Sequence, residues 1–471
     1  MNDGDDDEAR QPGSWREMTS RAHLGASATL GGGTFVFSIS TFIVTTTLPT
    51  VVREIGGLRW FAWSTTVYVV GSLIASALSA RLLAGSGPRV AYRIAMALFA
   101  TGALLCATAD NMGWLLAGRA VQGLGGGMLS ALSFSMVRGL FPRRLWSRAM
   151  AVLSVVWGIA TMAGPAVGGL FAQAGAWRGA FYSLAGVIPV LWIVVERSLP
   201  RRPPQQAAAP RRLALGNLVL LAASAMAVAL GGSATVWQGS LLGLIVAAGG
   251  IAWFRAREAG GGRLLPHGAL DPTRGLGGTY AAQSLLLIAV VTEIYIPYFL
   301  QTLHGLTPLH AGYMSALMAG GWSLGSLASS GTDGRRREIA MILGPVAQFL
   351  ALIGLALLLP RGGGDRALLG IGAALLALGA GIGLCWPQLG ARVFQTAPEG
   401  EKELAAACIT VVITLANAFG SALAGMVTNL AGITVPGGAA AAAGALYGGF
   451  AIAPVLALFA ILRLHAEEKV E

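Results

Sequence analysis

Charge is scarce in this chain. Of its 471 residues 11% are charged, against about 25% in ordinary water-soluble domains. With 55% hydrophobic residues and a mean hydropathy of +0.67, it is solvated mainly by lipid. Lysine is nearly missing, with Lys402 and Lys469 set against arginines everywhere else. That bias, with the abundant alanine and glycine, fits a GC-rich bacterial source. The three cysteines, Cys106, Cys385 and Cys408, all lie in apolar runs, so no structural disulfide is expected. The five histidines are scattered without ligand spacing, so no metal site is expected either. A net charge of +11 would suit nucleic acid, but the arginines occupy short gaps between apolar runs and form no single patch. There is no Walker motif and no Ser/His/Asp constellation, so neither ATP-driven chemistry nor an enzyme nor a cofactor is expected. The run GLGGG at 123–127 looks like part of a dinucleotide fingerprint, yet no strand precedes it. The acidic opening MNDGDDDEARQ is the reverse of a secretory leader, so the first apolar run is expected to be retained.

What the chain has in quantity is apolar runs long enough to cross a bilayer, which takes about 20 residues. Fourteen candidates stand at 28–52, 62–84, 90–109, 113–138, 148–173, 179–196, 213–231, 236–254, 276–302, 308–330, 338–360, 366–391, 404–431 and 440–463. An even number puts both termini on one side. With the N-terminus in the cytoplasm, only Arg53, Arg59, Arg178, Arg361 and Arg366 fall outside, and Arg119 lies within a helix. Every other lysine and arginine then faces the cytoplasm, so the charge bias predicts cytoplasmic termini.

An internal echo suggests two halves. Gly71-Ser72-Leu73, Ser76 and Arg81 recur as Gly325-Ser326-Leu327, Ser330 and Arg335 at one constant offset. Two six-helix bundles related by an axis along the membrane normal, with a substrate path between them, would produce it. The basic, proline-broken stretch ERSLPRRPPQQAAAPRR separates them, followed by two further apolar segments. The expected division is a tail at 1–27, a bundle at 28–196, a linker with two extra helices at 197–275, a second bundle at 276–463 and a tail at 464–471. Segment 213–254 carries almost no embedded polar group, so the extra pair is expected to face lipid at the periphery.

The most informative stretch runs from Trp114 to Phe181. Arg119, Gln122 and Gly123 stand in one apolar run, and Gly158, Gly164, Pro165, Gly168 and Gly169 in the next, followed by Trp177-Arg178 and Phe181. Small residues at helical spacing let a neighbouring helix approach closely, and Pro165 predicts a kink. Together these closely resemble the fourth-helix motif and the fifth-helix antiporter motif of the major facilitator superfamily. The whole layout resembles its 14-helix drug:proton antiporter branch. The resemblance implies an all-α integral membrane protein with the major facilitator fold, two six-helix bundles plus two extra helices. It also implies export of drug-like compounds in exchange for protons.

Two departures from that pattern bear on mechanism. In the loop SARLLAGSGPRVAYR, Gly87-Pro88-Arg89 matches the superfamily's cytoplasmic signature, and Arg81, Gly87 and Arg89 are gate candidates. Relatives carry an aspartate where this chain has Ala84, so the charge network that closes their inner face lacks a member. The first run ends FIVTTTLPTVV, resembling the branch's signature, but Ser40 stands where relatives have a membrane-embedded acid.

Candidate cavity residues are the polar or aromatic groups inside spanners. Thr34, Ser38, Thr41 and Thr45 share one face of the first helix, either lining a cavity or bonding back to their own backbone. The others are Gln122, Trp157, Gln283, Gln301, Trp322, Trp386, Gln388 and Asn417, a set suited to lipophilic or amphipathic ligands. Arg119, costly in a bilayer, must face a partner or water. Glu293 is the one acid deep within a spanner, with Pro297 four residues on as a predicted hinge. An embedded carboxylate is by default functional, so Glu293 is the expected proton carrier, with Arg119 as its associate.

The expected function is export of lipophilic or amphipathic compounds by alternating access and proton antiport, from a bacterial cytoplasmic (inner) membrane. Partners are then the small substrate, protons and the lipid bilayer, with no nucleic acid and no ATP. The alternatives are a lipid or dedicated lipophilic-metabolite transporter with weak or no proton coupling, and a non-transporting receptor or scaffold.

Overall fold

A computed structural model describes residues 14–21, 23–200, 215–234, 237–259, 265–332, 334–362 and 364–468. Each of the fourteen candidate segments is helical over most of its described residues, and no strand occurs among the described residues. Among the described residues, eleven helices are long and apolar enough to cross a membrane. In order the main helices are α1 (Leu24–Ile55), α2 (Trp63–Ser86), α3 (Pro88–Ala107), α4 (Met112–Ser135), α5 (Trp146–Gln173) and α6 (Trp177–Ser198). Then come α7 (Leu215–Gly232), α8 (Trp237–Ala259), α9 (Gly275–Val291), α10 (Ile296–Leu303), α11 (Pro308–Ser329), α12 (Gly334–Leu358), α13 (Gly364–Thr396), α14 (Lys402–Leu430), α15 (Ala439–Phe450) and α16 (Ile452–Glu468).

Helix starts follow local chemistry. Asn111 caps α4, its side-chain oxygen accepting from the Trp114 amide at 2.9 Å. Thr307 caps α11, with Pro308 in the first turn, where a missing N–H costs nothing. Gly87, at φ 82°, turns the chain into Pro88 at the head of α3.

The contacts divide the chain into two compact units, Met1–Thr47 with Gly71–Leu213, and Leu48–Val70 with Ala214–Glu471. Close packing in the first unit rests on glycine. A Cβ at Gly125 would fall on the backbone of Phe99 in α3, and one at Gly127 on the backbone of Ser72 in α2. The GLGGG run is therefore a two-sided packing device, since residues two apart on a helix point nearly opposite ways. Ser72 adds a hydrogen bond to the Gly123 carbonyl at 3.1 Å.

The second unit repeats the arrangement. Gly325 meets the Ala380 backbone, and Ser329 donates to the Gly383 carbonyl of α13 at 3.4 Å. The echo in sequence is thus an echo in packing, α2 against α4 and α11 against α13.

The extra helices belong to the second unit by contact. On α8, Leu242, Ile245 and Trp253 are exposed, as lipid-facing residues should be. α7 is different, because its Val228 and Ala229 pack with Ala422 and Met426 of α14. The Trp63 indole donates to the Ala229 carbonyl at 3.1 Å. The pair also holds more polarity than its sequence suggested. Buried Asn217 donates to Glu258 Oε1 at 2.5 Å, and the Leu265 amide donates to Oε2 at 3.0 Å. Glu258 lies just past the apolar run, where a spanner count does not look.

Candidate functional site

In the first unit the embedded charge is Arg119, 2% exposed. It sits one turn before Gln122, and Nη1 donates to Gln122 Oε1 at 2.6 Å and reaches Ser40 Oγ at 3.4 Å. The residue in the place of the family's acid is therefore in the arginine's first circle of neighbours, but as a neutral hydroxyl. Gln122 Nε2 is buried without a hydrogen-bond partner among the described residues.

The hydroxyl stripe of α1 is turned largely on its own backbone. Ser38 donates to the Thr34 carbonyl and Thr45 to that of Thr41, both at 2.9 Å, and Thr41 to Phe37 at 3.3 Å. Thr34 and Ser38 are fully buried, while Thr41 and Thr45 are half-buried. Such back-bonding satisfies a hydroxyl without a ligand.

The fifth-helix glycines meet α1. A Cβ at Gly164 would fall on Phe42, and one at Gly168 would lie 2.8 Å from the Ile43 carbonyl oxygen. Pro165 and Gly169 are buried beside them. Gly158 differs, because nothing lies within 4 Å of a Cβ placed there. The neighbouring Trp157 packs edge-on against Phe37 and Phe42 at 6.2 and 6.3 Å between ring centroids.

At the gate signature the arginines have found a carboxylate that the sequence reading missed. Arg93 clasps Glu196 of α6 through Nε and Nη2, at 2.5 and 2.7 Å. Arg89 reaches the same carboxylate at 3.5 Å and donates to the Leu199 carbonyl at 3.0 Å. Arg81 is exposed. Glu196, 107 positions from Arg89, had no local signal beyond its place at the end of a spanner. Nearby, Arg144 donates to Glu17 at 2.8 Å and holds that carboxyl below its usual range.

In the second unit Glu293 stands where the helix changes form. Residues Thr292–Tyr295 are a 3₁₀ turn between α9 and α10. Pro297 has no N–H to offer the Glu293 carbonyl, and the Ile296 amide serves it instead, three residues on. The Glu293 side chain is half-buried and has no hydrogen bond or ion pair with any described residue. Its neighbours in sequence are held firmly. Tyr447 donates to the Thr292 carbonyl at 3.2 Å, and Thr428 donates to the Tyr295 hydroxyl at 2.9 Å. Tyr295 stacks on Phe61 at 4.8 Å between centroids. An unclaimed carboxyl on a rigidly framed turn can exchange a proton without dismantling its surroundings.

The remaining candidates are dispersed. Gln301 accepts from Arg53 Nη2 through Oε1, and its Nε2 is unpartnered. Gln283 is 1% exposed with neither amide atom bonded. Trp322 and Trp386 form an edge-on pair at 5.4 Å. Gln388 ties α13 to the end of α11 by donating to the Ser329 carbonyl at 2.8 Å. Asn417 lies half-buried on α14. Arg392, read from sequence as a cytoplasmic anchor, is 4% exposed and donates to the Leu464 carbonyl at 3.2 Å.

Comparison with known proteins bears on family and fold. The profile of the Major Facilitator Superfamily matches residues 30–421. A "probable multidrug-efflux transporter" of Mycobacterium tuberculosis is 35% identical over 465 residues, covering 94% of this chain and 95% of its own. An "Acurin A biosynthesis cluster MFS-type transporter" of Aspergillus aculeatus is 29% identical, over 60% of this chain and 53% of its own. Among solved structures, a mutant peptide transporter POT in complex with alafosfalin superposes with TM-score 0.68 at 13% identity, covering 98% of this chain and 99% of that one. A D-xylose–proton symporter gives 0.64 at 15%, covering 93% and 96%. At such identities these two speak for the fold alone.

Proposed function

The chain belongs to the major facilitator superfamily of membrane transporters, and from that premise we propose that it exports lipophilic or amphipathic compounds by alternating access, driven by proton antiport. The reading includes fourteen spanners in two six-helix bundles plus an extra pair. Both termini face the cytoplasm, and the chain lies in a bacterial inner membrane. The identity to proteins named as multidrug-efflux transporters supports the substrate class. The observation that carries proton coupling is Glu293, an acid inside a spanner, at a break in the helix, with no partner holding its carboxylate. It would take a proton from the outer side and release it when the cavity turns inward, with Arg119, hydrogen-bonded to Gln122 and close to Ser40, as its associate.

Reconstitution in proteoliposomes tests this directly. Glu293→Gln keeps the volume and mimics the protonated state. It should insert normally yet lose export of a hydrophobic dye against its gradient when a pH gradient is imposed, while dye exchange persists. Wild-type export with unchanged pH dependence would remove Glu293 from the mechanism.

One observation favours a second reading. With Ser40 and Gln122 as neighbours, the Arg119 site has lost the acid its relatives use, which suits a lipid or dedicated-metabolite transporter with little coupling. Transport independent of pH, with lipid retained in the purified protein, would select it.

A further inference from the structure

One groove lies away from every residue considered so far. It has a volume of about 660 Å³ and runs between α3 and α6, lined by Ala100 and Leu104 on one side and Gly186, Pro189, Trp192 and Ile193 on the other. Small residues leave the space, and Pro189 stands within α6 beside it. No charged or hydrogen-bonding side chain lines it apart from the Trp192 indole. At 100° per residue, Arg93 and Ala100 fall on one stripe of α3, as Pro189 and Glu196 do on α6. The groove therefore points along both helices toward the Arg93–Glu196 pair.

We propose that this groove binds an anionic phospholipid, one acyl chain lying along it and the phosphate meeting Arg93 and Arg197. Three observations select that occupant. Leu104 lies eleven residues from Arg93, about 16 Å along the helix, which matches one leaflet's half of a core about 30 Å thick. The lining is apolar throughout, as a hydrocarbon chain requires. Among the described residues the charged end is positive, since Arg89 and Arg93 share the Glu196 carboxylate and Arg197, next in sequence, is exposed. Arg93 remains 43% exposed, and its Nη1 makes no hydrogen bond with the described residues. Basic sites at the ends of membrane helices recognise anionic headgroups in this way. The proposal rests on the membrane-spanning reading but on neither the substrate nor the proton.

The test is native mass spectrometry of the purified full chain in detergent with equal phosphatidylglycerol and phosphatidylethanolamine. Wild-type protein should retain phosphatidylglycerol preferentially, as an adduct that survives dilution. A Cβ at Gly186 meets nothing within 4 Å, so Gly186→Leu fills the groove without disturbing the helices and should reduce that adduct several-fold. Gly249→Leu, at an equally open site on α8, should leave it intact. Arg93→Gln with Arg197→Gln should retain the two lipids equally. Equal retention of both lipids by wild type, an adduct indifferent to Gly186→Leu, or a dimer that Gly186→Leu dissolves would each overturn the proposal. Dye export by Gly186→Leu, measured separately, keeps failure here distinct from failure of the transport reading.

Discussion

Arg119 in the first unit and Glu293 in the second are both charges inside membrane helices, and they are kept in opposite ways. Arg119 is bonded, with Gln122 and Ser40 against one nitrogen. Glu293 is framed but not bonded. Its helix leaves the α form at that residue, and the tyrosines beside it are anchored elsewhere. A guanidinium does not deprotonate in proteins, so the bonded site serves as a fixed charge. A carboxyl with no partner has both protonation states open to it. On the reading proposed above, Arg119 contributes a fixed charge and Glu293 exchanges the proton.

The sharpest way to break that assignment is to move the acid. Ser40→Asp in a Glu293→Gln background places a carboxylate next to Arg119, at the position relatives use. Partial return of pH-driven dye export is expected, against none for Glu293→Gln alone. Its failure in a protein that inserts normally would mean that the first unit no longer supports exchange in any form.

A smaller effect distinguishes glycines that share one motif. Gly168→Val drives methyl groups into the Ile43 backbone and should cost about 1–3 kcal/mol, with a lowered melting temperature and lost transport. Gly158→Val meets open space and should change neither. Equal damage from both would show that the motif works through something other than contact with α1.

Smaller again is Glu196→Gln. A partly exposed ion pair of this kind is worth about 1 kcal/mol or less, so stability should barely move. The tie between α3 and α6 should loosen, which cross-linking of cysteines placed at Ala100 and Ile193 would register as a broader range of bridged spacers.

The least effect is expected at Glu17. Its carboxyl titrates below the usual range because Arg144 donates to it, so the contact persists as pH falls past the ordinary carboxylate value and is lost only below the lowered one. Protease access to residues 14–21 should rise in that lower window, and Arg144→Gln should shift the rise to higher pH.

Much of this was legible in the sequence. Run length located the helices, and the cost of a charge in a bilayer announced that Arg119 must have a partner or water, though not that the partner is Gln122. Pro297 announced a break near Glu293. What was not legible depended on contacts distant in the chain. Nothing near Ala84 points to Glu196, and nothing in segment 213–254 points to Glu258 beyond its end. The α1 stripe shows a different limit. Periodicity places Thr34, Ser38, Thr41 and Thr45 on one face, but whether a hydroxyl serves a ligand or its own carbonyl is decided by rotamer, which periodicity does not carry.

The 3₁₀ turn at Glu293 also has a consequence in angle. Gln283 and Gln301 are eighteen residues apart, which in an unbroken α-helix is five whole turns and puts them on the same face. Four residues wound at three per turn advance the phase by roughly 80° more. Gln301 is thereby carried to the side where Arg53 meets it, and Gln283 is left facing elsewhere with its amide unbonded. Rewinding that turn as α-helix would undo the same rotation and pull Gln301 off Arg53. The Arg53–Gln301 contact is thus a dial on the winding of the turn that carries the acid.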